Sequence, residues 1–183
     1  MLASGSPRRR ALLAEAGLRF EVVVPDVPEE NGAREVPSQV VERLALAKAR
    51  AVRALRPDAA VLAADTVVAI ADSVLGKPRD RDEAVAMLRS LSGATHEVWT
   101  GVALIAGANV EVFSVGTRVT FRELSEDEIA GYVAGGEPMD KAGAYAIQGG
   151  AAGFVSSIDG SWTNVVGLPM EETLAALNRL GVA

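Results

Sequence analysis

Residues Ala59 to Ala64 form an unbroken apolar run, Ala-Ala-Val-Leu-Ala-Ala. A strand with water on one side alternates polar and apolar residues, whereas a run without alternation is a strand covered on both faces. Such a strand requires helices above and below its sheet, and the chain supplies them. Pro37 to Arg56 carries Val40, Val41, Leu44, Ala47, Ala51 and Leu55 at helical spacing. Arg81 to Leu91 reads as a second amphipathic helix, closed by Ser92-Gly93. Ser125 to Val133 opens with the capping pair Ser125 and Glu128, and Leu168 to Leu180 is the closing helix. Further strands are expected at Leu2 to Ser4, Phe20 to Val24, Val67 to Ile70 and Phe154 to Ile158. A hairpin, Glu97 to Ala106 with Val110 to Phe121, is expected around Gly107-Ala108-Asn109. Helices and strands alternate early and a hairpin follows, so the class is α/β with a mixed sheet.

A chain of 183 residues suits one domain, or one domain split into two lobes. Aromatics make up only 4%, so the core has to be aliphatic. The net charge of −6 argues against sequence-blind binding of nucleic acid polymers, which needs a basic face. It leaves room for a small anionic ligand held by a local cluster. Cysteine is absent, which removes disulfides, thiolate metal sites and a cysteine nucleophile. No signal-peptide pattern and no apolar run of membrane-spanning length is present, so a cytoplasmic location away from membranes is expected.

The local cluster sits at the start. Leu2-Ala3-Ser4-Gly5-Ser6-Pro7-Arg8-Arg9-Arg10 is a short strand, a small-residue loop and a helix start. Ser6 is the expected N-cap and Pro7 the first helical residue, with the helix ending at Gly17. Helix N-termini favour acidic residues because of the macrodipole. Arginines here oppose it by about 0.3–1 kcal/mol each, which points to an anion at this place. Guanidinium forks and backbone N–H groups suit a phosphate chain.

Four other stretches carry candidate chemistry. Asp65 is read as ending the buried strand, where ligands of open α/β sheets collect; the alternative is an Asx turn with Thr66. Gly76-Lys77-Pro78 presents one ammonium, either on an ordinary surface turn or toward a phosphate. The glycine-rich block from Glu137 to Gly150 contains Gln148, whose amide offers a donor and an acceptor matching the O4 and N3–H edge of uracil or thymine. Glu29 and Glu30 lie in an acidic loop, Pro25 to Glu35, and read first as solvated surface. His96, the single histidine, reads as structural.

Taken in order, these pieces resemble the Maf family of nucleoside triphosphate pyrophosphatases. The matching stretches are Ala3 to Arg9, Ala64 to Val68, Gly76 to Pro78, Leu91 to Gly93 with His96, Glu137 to Gly149, and Val165 to Pro169. The resemblance implies one Maf-like domain over residues 1–183. It implies an elongated mixed sheet flanked by helices, two lobes with a central cleft, similar to inosine triphosphate pyrophosphatases, and a homodimer. It implies a hydrolase that uses Mg²⁺ or Mn²⁺ to convert a nucleoside triphosphate to the monophosphate and pyrophosphate. Links to arrest of septum formation and to nucleotide-pool sanitation come with it.

By the same resemblance Asp65 is the proton acceptor, and Ser6, Arg8, Arg9 and Lys77 contact phosphate. Glu29 is an acidic site position that holds metal with Asp65. Arg8, Thr66 and Gln148 match the markers of the branch acting on dTTP and UTP, with Thr66 and Gln148 reading the base. Two alternatives stay open: the same reaction on 7-methyl-GTP, and a nucleotide-binding regulator of septum formation whose hydrolysis is incidental.

Overall fold

The structure is a computed structural model, and it describes residues 1–28, 35–71 and 73–182. The elements positioning the site are β1 (Leu2–Ala3), α1 (Pro7–Glu15), α2 (Pro37–Leu55), β2 (Val61–Ile70) and β3 (Ser73–Leu75). Then come α3 (Arg81–Leu91), β4 (Thr95–Ala106), β5 (Asn109–Phe121) and α4 (Glu126–Ala134). Three short 3₁₀ turns occupy the glycine-rich block: Glu137–Asp140, Ala142–Ala144 and Gly150–Phe154. The chain ends with β6 (Val155–Asp159), α5 (Trp162–Val166) and α6 (Met170–Arg179). The strands make a mixed sheet in the order β1-β2-β4-β5-β6, with β3 paired to β2. β1 runs parallel to β2, pairing Leu2 with Leu62 and Ala3 with Ala63, while β3 and β6 are antiparallel to their neighbours.

The chain forms two compact units. The first comprises Met1–Thr66, Thr100–Val115 and Gly167–Ala183; the second comprises Val67–Trp99 and Gly116–Val166. In the first, α2 lies on the sheet through small residues. Ala45, Ala49 and Val52 pack on Ala3, Val61, Ala63, Ala103 and Ile105. Gly101 of β4 permits the close approach, because a Cβ there would lie 2.3 Å from the backbone carbon of Val41. In the second unit the core is aliphatic around one aromatic cluster, in which His96, Phe121, Tyr145, Phe154 and Tyr132 meet edge to face.

Three expectations are corrected, and one element has no counterpart in the sequence pattern. Asp65 does not end its strand; β2 continues through Thr66 to Ile70, because its β-branched second half finds a partner in β3, with Val68 opposite Leu75. Phe20 to Val24 makes only a single bridge, Val22 to Leu2, since β1 is two residues long and offers no more ladder. The buried stripe of α2 is Val40, Val41, Leu44, Ala45, Lys48, Ala49 and Val52, while Leu55 is exposed. Helix α5 was not foreseen; five residues are too few to show a period.

Candidate functional site

Lys48 is the residue that sequence reasoning missed. It replaces an apolar residue in the buried stripe of α2, facing β2. Strand alternation puts Asp65 on the same face as Val61 and Ala63, the face that packs on α2. The two meet there: Lys48 Nζ donates to Asp65 Oδ1 at 2.5 Å, with both side chains about 10% exposed. A buried pair of this kind stabilises only as a pair, since either charge alone is left desolvated. Among the described residues the second oxygen, Asp65 Oδ2, accepts no hydrogen bond.

The signal for Lys48 was present in the sequence: a lysine at the fourth position after Leu44 and before Val52. Alanine is too small and too frequent in α2 to mark the buried side clearly, and the apolar pattern runs as well through Ala47 and Ala51.

The loop after β1 is built around Arg9. Ser6 caps α1 as expected, its Oγ accepting from the Arg9 backbone N–H at 3.4 Å. The Arg9 side chain folds back over the loop and across the sheet end. Its Nε donates to Gly167 O at 2.7 Å, and Nη1 donates to Ala64 O at 2.8 Å and to Ser4 Oγ at 3.2 Å. Its Nη2 donates to Thr66 Oγ1 at 2.9 Å, and Thr66 Oγ1 lies 2.9 Å from the buried Thr100 Oγ1. Only a planar fork with five donors can span these acceptors. One guanidinium therefore ties the loop after β1, strand β2 and the segment before α6 together.

Ser6, Arg9 and Thr66 are thus brought together within the first unit, while Asp65, next to Thr66 along β2, faces α2 and pairs with Lys48. Arg8 stands in the first turn of α1, partly exposed. Lys77 and Gln148 belong to the second unit. Lys77 is exposed on its turn, which is tied to the glycine-rich block by Gly143 N–H donating to Gly76 O at 3.0 Å. Gln148 is exposed at the third position of a four-residue turn, closed by Gly149 N–H donating to Ala146 O at 3.0 Å. Glu29 and Glu30 lie outside the described residues. His96 is buried, its Nε2 2.9 Å from Tyr145 Oη, and burial pushes its pKa down to about 4. Among the described residues no three or more His, Asp or Glu side chains gather as a metal cage.

Comparison with known proteins adds three findings. The family described as Maf-like protein matches residues 1–180. A dTTP/UTP pyrophosphatase of Myxococcus xanthus (strain DK1622) is 54% identical over 182 residues, covering 100% of this chain and 92% of the relative. Proteins of the same name from Symbiobacterium thermophilum and Geobacillus sp. (strain WCH70) are 52% and 49% identical; each match covers 99% of this chain, and 93% and 97% of the relative respectively.

Proposed function

The chain belongs to the Maf family, and from that premise we propose that it hydrolyses dTTP and UTP to the monophosphate and pyrophosphate. The observation that carries this reading is the buried Lys48–Asp65 pair, set in β2 between the two residues, Ala64 and Thr66, that Arg9 holds. Water attack on a phosphoryl group needs an oriented base and fixed positive charge, and little else from the protein. Lys48 fixes one oxygen of Asp65, so the other is held in one orientation to take a proton from water. Arg8 and Lys77 supply charge to the triphosphate, Ser6 presents the start of α1, and Arg9 adds its charge while shaping the loop. Gln148 reads the pyrimidine edge. Thr66 contributes to base choice through the Arg9 network, because its hydroxyl already accepts from Nη2.

Asp65 Oδ2 is a hard oxygen donor, and a magnesium or manganese ion completed by phosphate oxygens and water fits such a sparse donor set. Asp65, with Glu29, would hold it; bound there, the ion would neutralise charge on the phosphates and acidify the water, which Asp65 would then position rather than deprotonate. A cytoplasmic homodimer belongs to the same proposal. No described helix is long and apolar enough to cross a membrane.

The test is pyrophosphate release from a nucleotide panel with Mg²⁺ or Mn²⁺. Asp65→Asn is expected to keep nucleotide binding and lose about 10²–10⁴-fold in turnover. Turnover within a few-fold of wild type would remove Asp65 from its role. Tight UTP binding with no release from any nucleotide would favour the regulator.

A further inference from the structure

The turn that presents Gln148 is gripped from both sides by side chains of the second unit. Before it, Ala146 N–H donates to Tyr132 Oη on α4 at 3.0 Å. After it, Gly150 N–H donates to Glu137 Oε2 at 2.9 Å. Between these anchors the Glu137 carboxylate presses against Gly149 through Oε1: a Cβ there would come 1.6 Å from Oε1 and 2.6 Å from the carboxyl carbon. Gly149 has a φ of −117°, outside the left-handed region, so glycine serves here for space and not for its φ. Tyr132 is itself fixed, its ring edge-on to Phe154 at 5.2 Å. Glu137 opens the 3₁₀ turn that follows α4, so both anchors come from one continuous piece of chain.

From this geometry we infer that Glu137 and Tyr132 are positioning residues that clamp the Ala146–Gly149 turn and so set the enzyme's discrimination between bases. The inference rests on the reading of Gln148 as the residue that meets the pyrimidine. An exposed amide on a loose turn can rotate and shift to accommodate either the O4 and N3–H edge of uracil or the N4 and N3 edge of cytosine. A fixed backbone confines where the amide stands against the base, and a confined amide meets fewer base edges in good geometry. The carboxylate supplies that fixity through a charge-assisted bond to a backbone N–H two residues after Gln148. Neither side chain has to touch the nucleotide.

The experiment measures kcat/KM for UTP, dTTP and CTP in wild type and in Gln148→Ala, Glu137→Ala, Glu137→Gln and Tyr132→Phe. Glu137→Ala is expected to lower the UTP-over-CTP ratio about tenfold, by loss of orientation rather than of chemistry. Glu137→Gln, which keeps an acceptor for Gly150 N–H, should restore most of that ratio. Tyr132→Phe, which keeps the ring against Phe154, should lower the ratio without unfolding the protein. A merely structural role would depress all three substrates equally. If Gln148→Ala flattens the ratio and neither Glu137→Ala nor Tyr132→Phe changes it, the clamp is overturned and the base-reading role of Gln148 stands. If Gln148→Ala leaves the ratio unchanged, both fall. Should Glu137→Ala not fold, Tyr132→Phe alone decides, since an unchanged ratio in that variant overturns the clamp.

Discussion

Lys48 and Asp65, 17 residues apart in the chain, meet at 2.5 Å inside the first unit, with neither side chain more than about 10% exposed. Their value is in the pairing. Lys48→Met strands a carboxylate and is expected to cost about 3–5 kcal/mol of stability. Lys48→Met with Asp65→Leu removes both charges and should return to within about 1 kcal/mol of wild type while remaining inactive. Urea unfolding of the singles and the double measures this; a single variant as stable as wild type would show that the pair is solvated.

The Arg9 side chain donates hydrogen bonds to Ser4, Ala64, Thr66 and Gly167, the last of them 158 residues away. Arg9→Lys keeps the charge but cannot span Ser4, Ala64, Thr66 and Gly167. Loss of two or three bonds, at about 0.5–1.5 kcal/mol each, predicts a destabilisation of about 2–3 kcal/mol. Turnover should fall further than KM rises, because the loop is displaced rather than stripped of charge. Thermal unfolding and steady-state kinetics on one preparation separate the two effects.

Gly101 holds α2 at a distance no side chain tolerates. Gly101→Ala must push the helix off β4, and with it Lys48. The expected cost is about 1–3 kcal/mol, with a loss of turnover although Gly101 carries no chemistry. Wild-type turnover in this variant would mean that α2 can shift without moving the ammonium.

His96 gives the protein a pH dependence of known sign. Its ordinary pKa is 6.5, and burial among Phe121 and Tyr145 lowers it to about 4 in the folded state. Between those values the unfolded chain binds a proton that the native state does not, so stability rises with pH. The contribution is complete above about pH 6.5, drains away as pH falls toward 4, and amounts to about 3 kcal/mol. Tyr145, whose hydroxyl burial holds above its usual range, stays neutral throughout. Urea midpoints from pH 4 to pH 7 should slope in wild type and lose much of that slope in His96→Phe.

The sequence alone determined what is local. Strand against helix follows from periods of two and 3.6, and the capping box at Ser125 and Glu128 formed as its spacing required. Ser6 capped α1 for the same reason, and the order of short motifs was enough to indicate the Maf family. Tertiary structure decided whatever depends on which face or which distant partner a residue meets. Asp65 sits in mid-strand because β3 extends β2, and no pattern inside Ala59 to Ile70 states that. Lys48 was hidden because alanines on both sides of α2 let an apolar stripe be read through Ala47 and Ala51, away from the lysine. Only packing on Ala63 and Val61 chooses the buried side. Arg9 read as a phosphate ligand from its place at a helix start. Its tie to Gly167 exists only because the chain returns to β1 after the whole second unit has been made. Periodicity is a property of neighbours in sequence, whereas a desolvated ion pair and a forked guanidinium depend on neighbours in space.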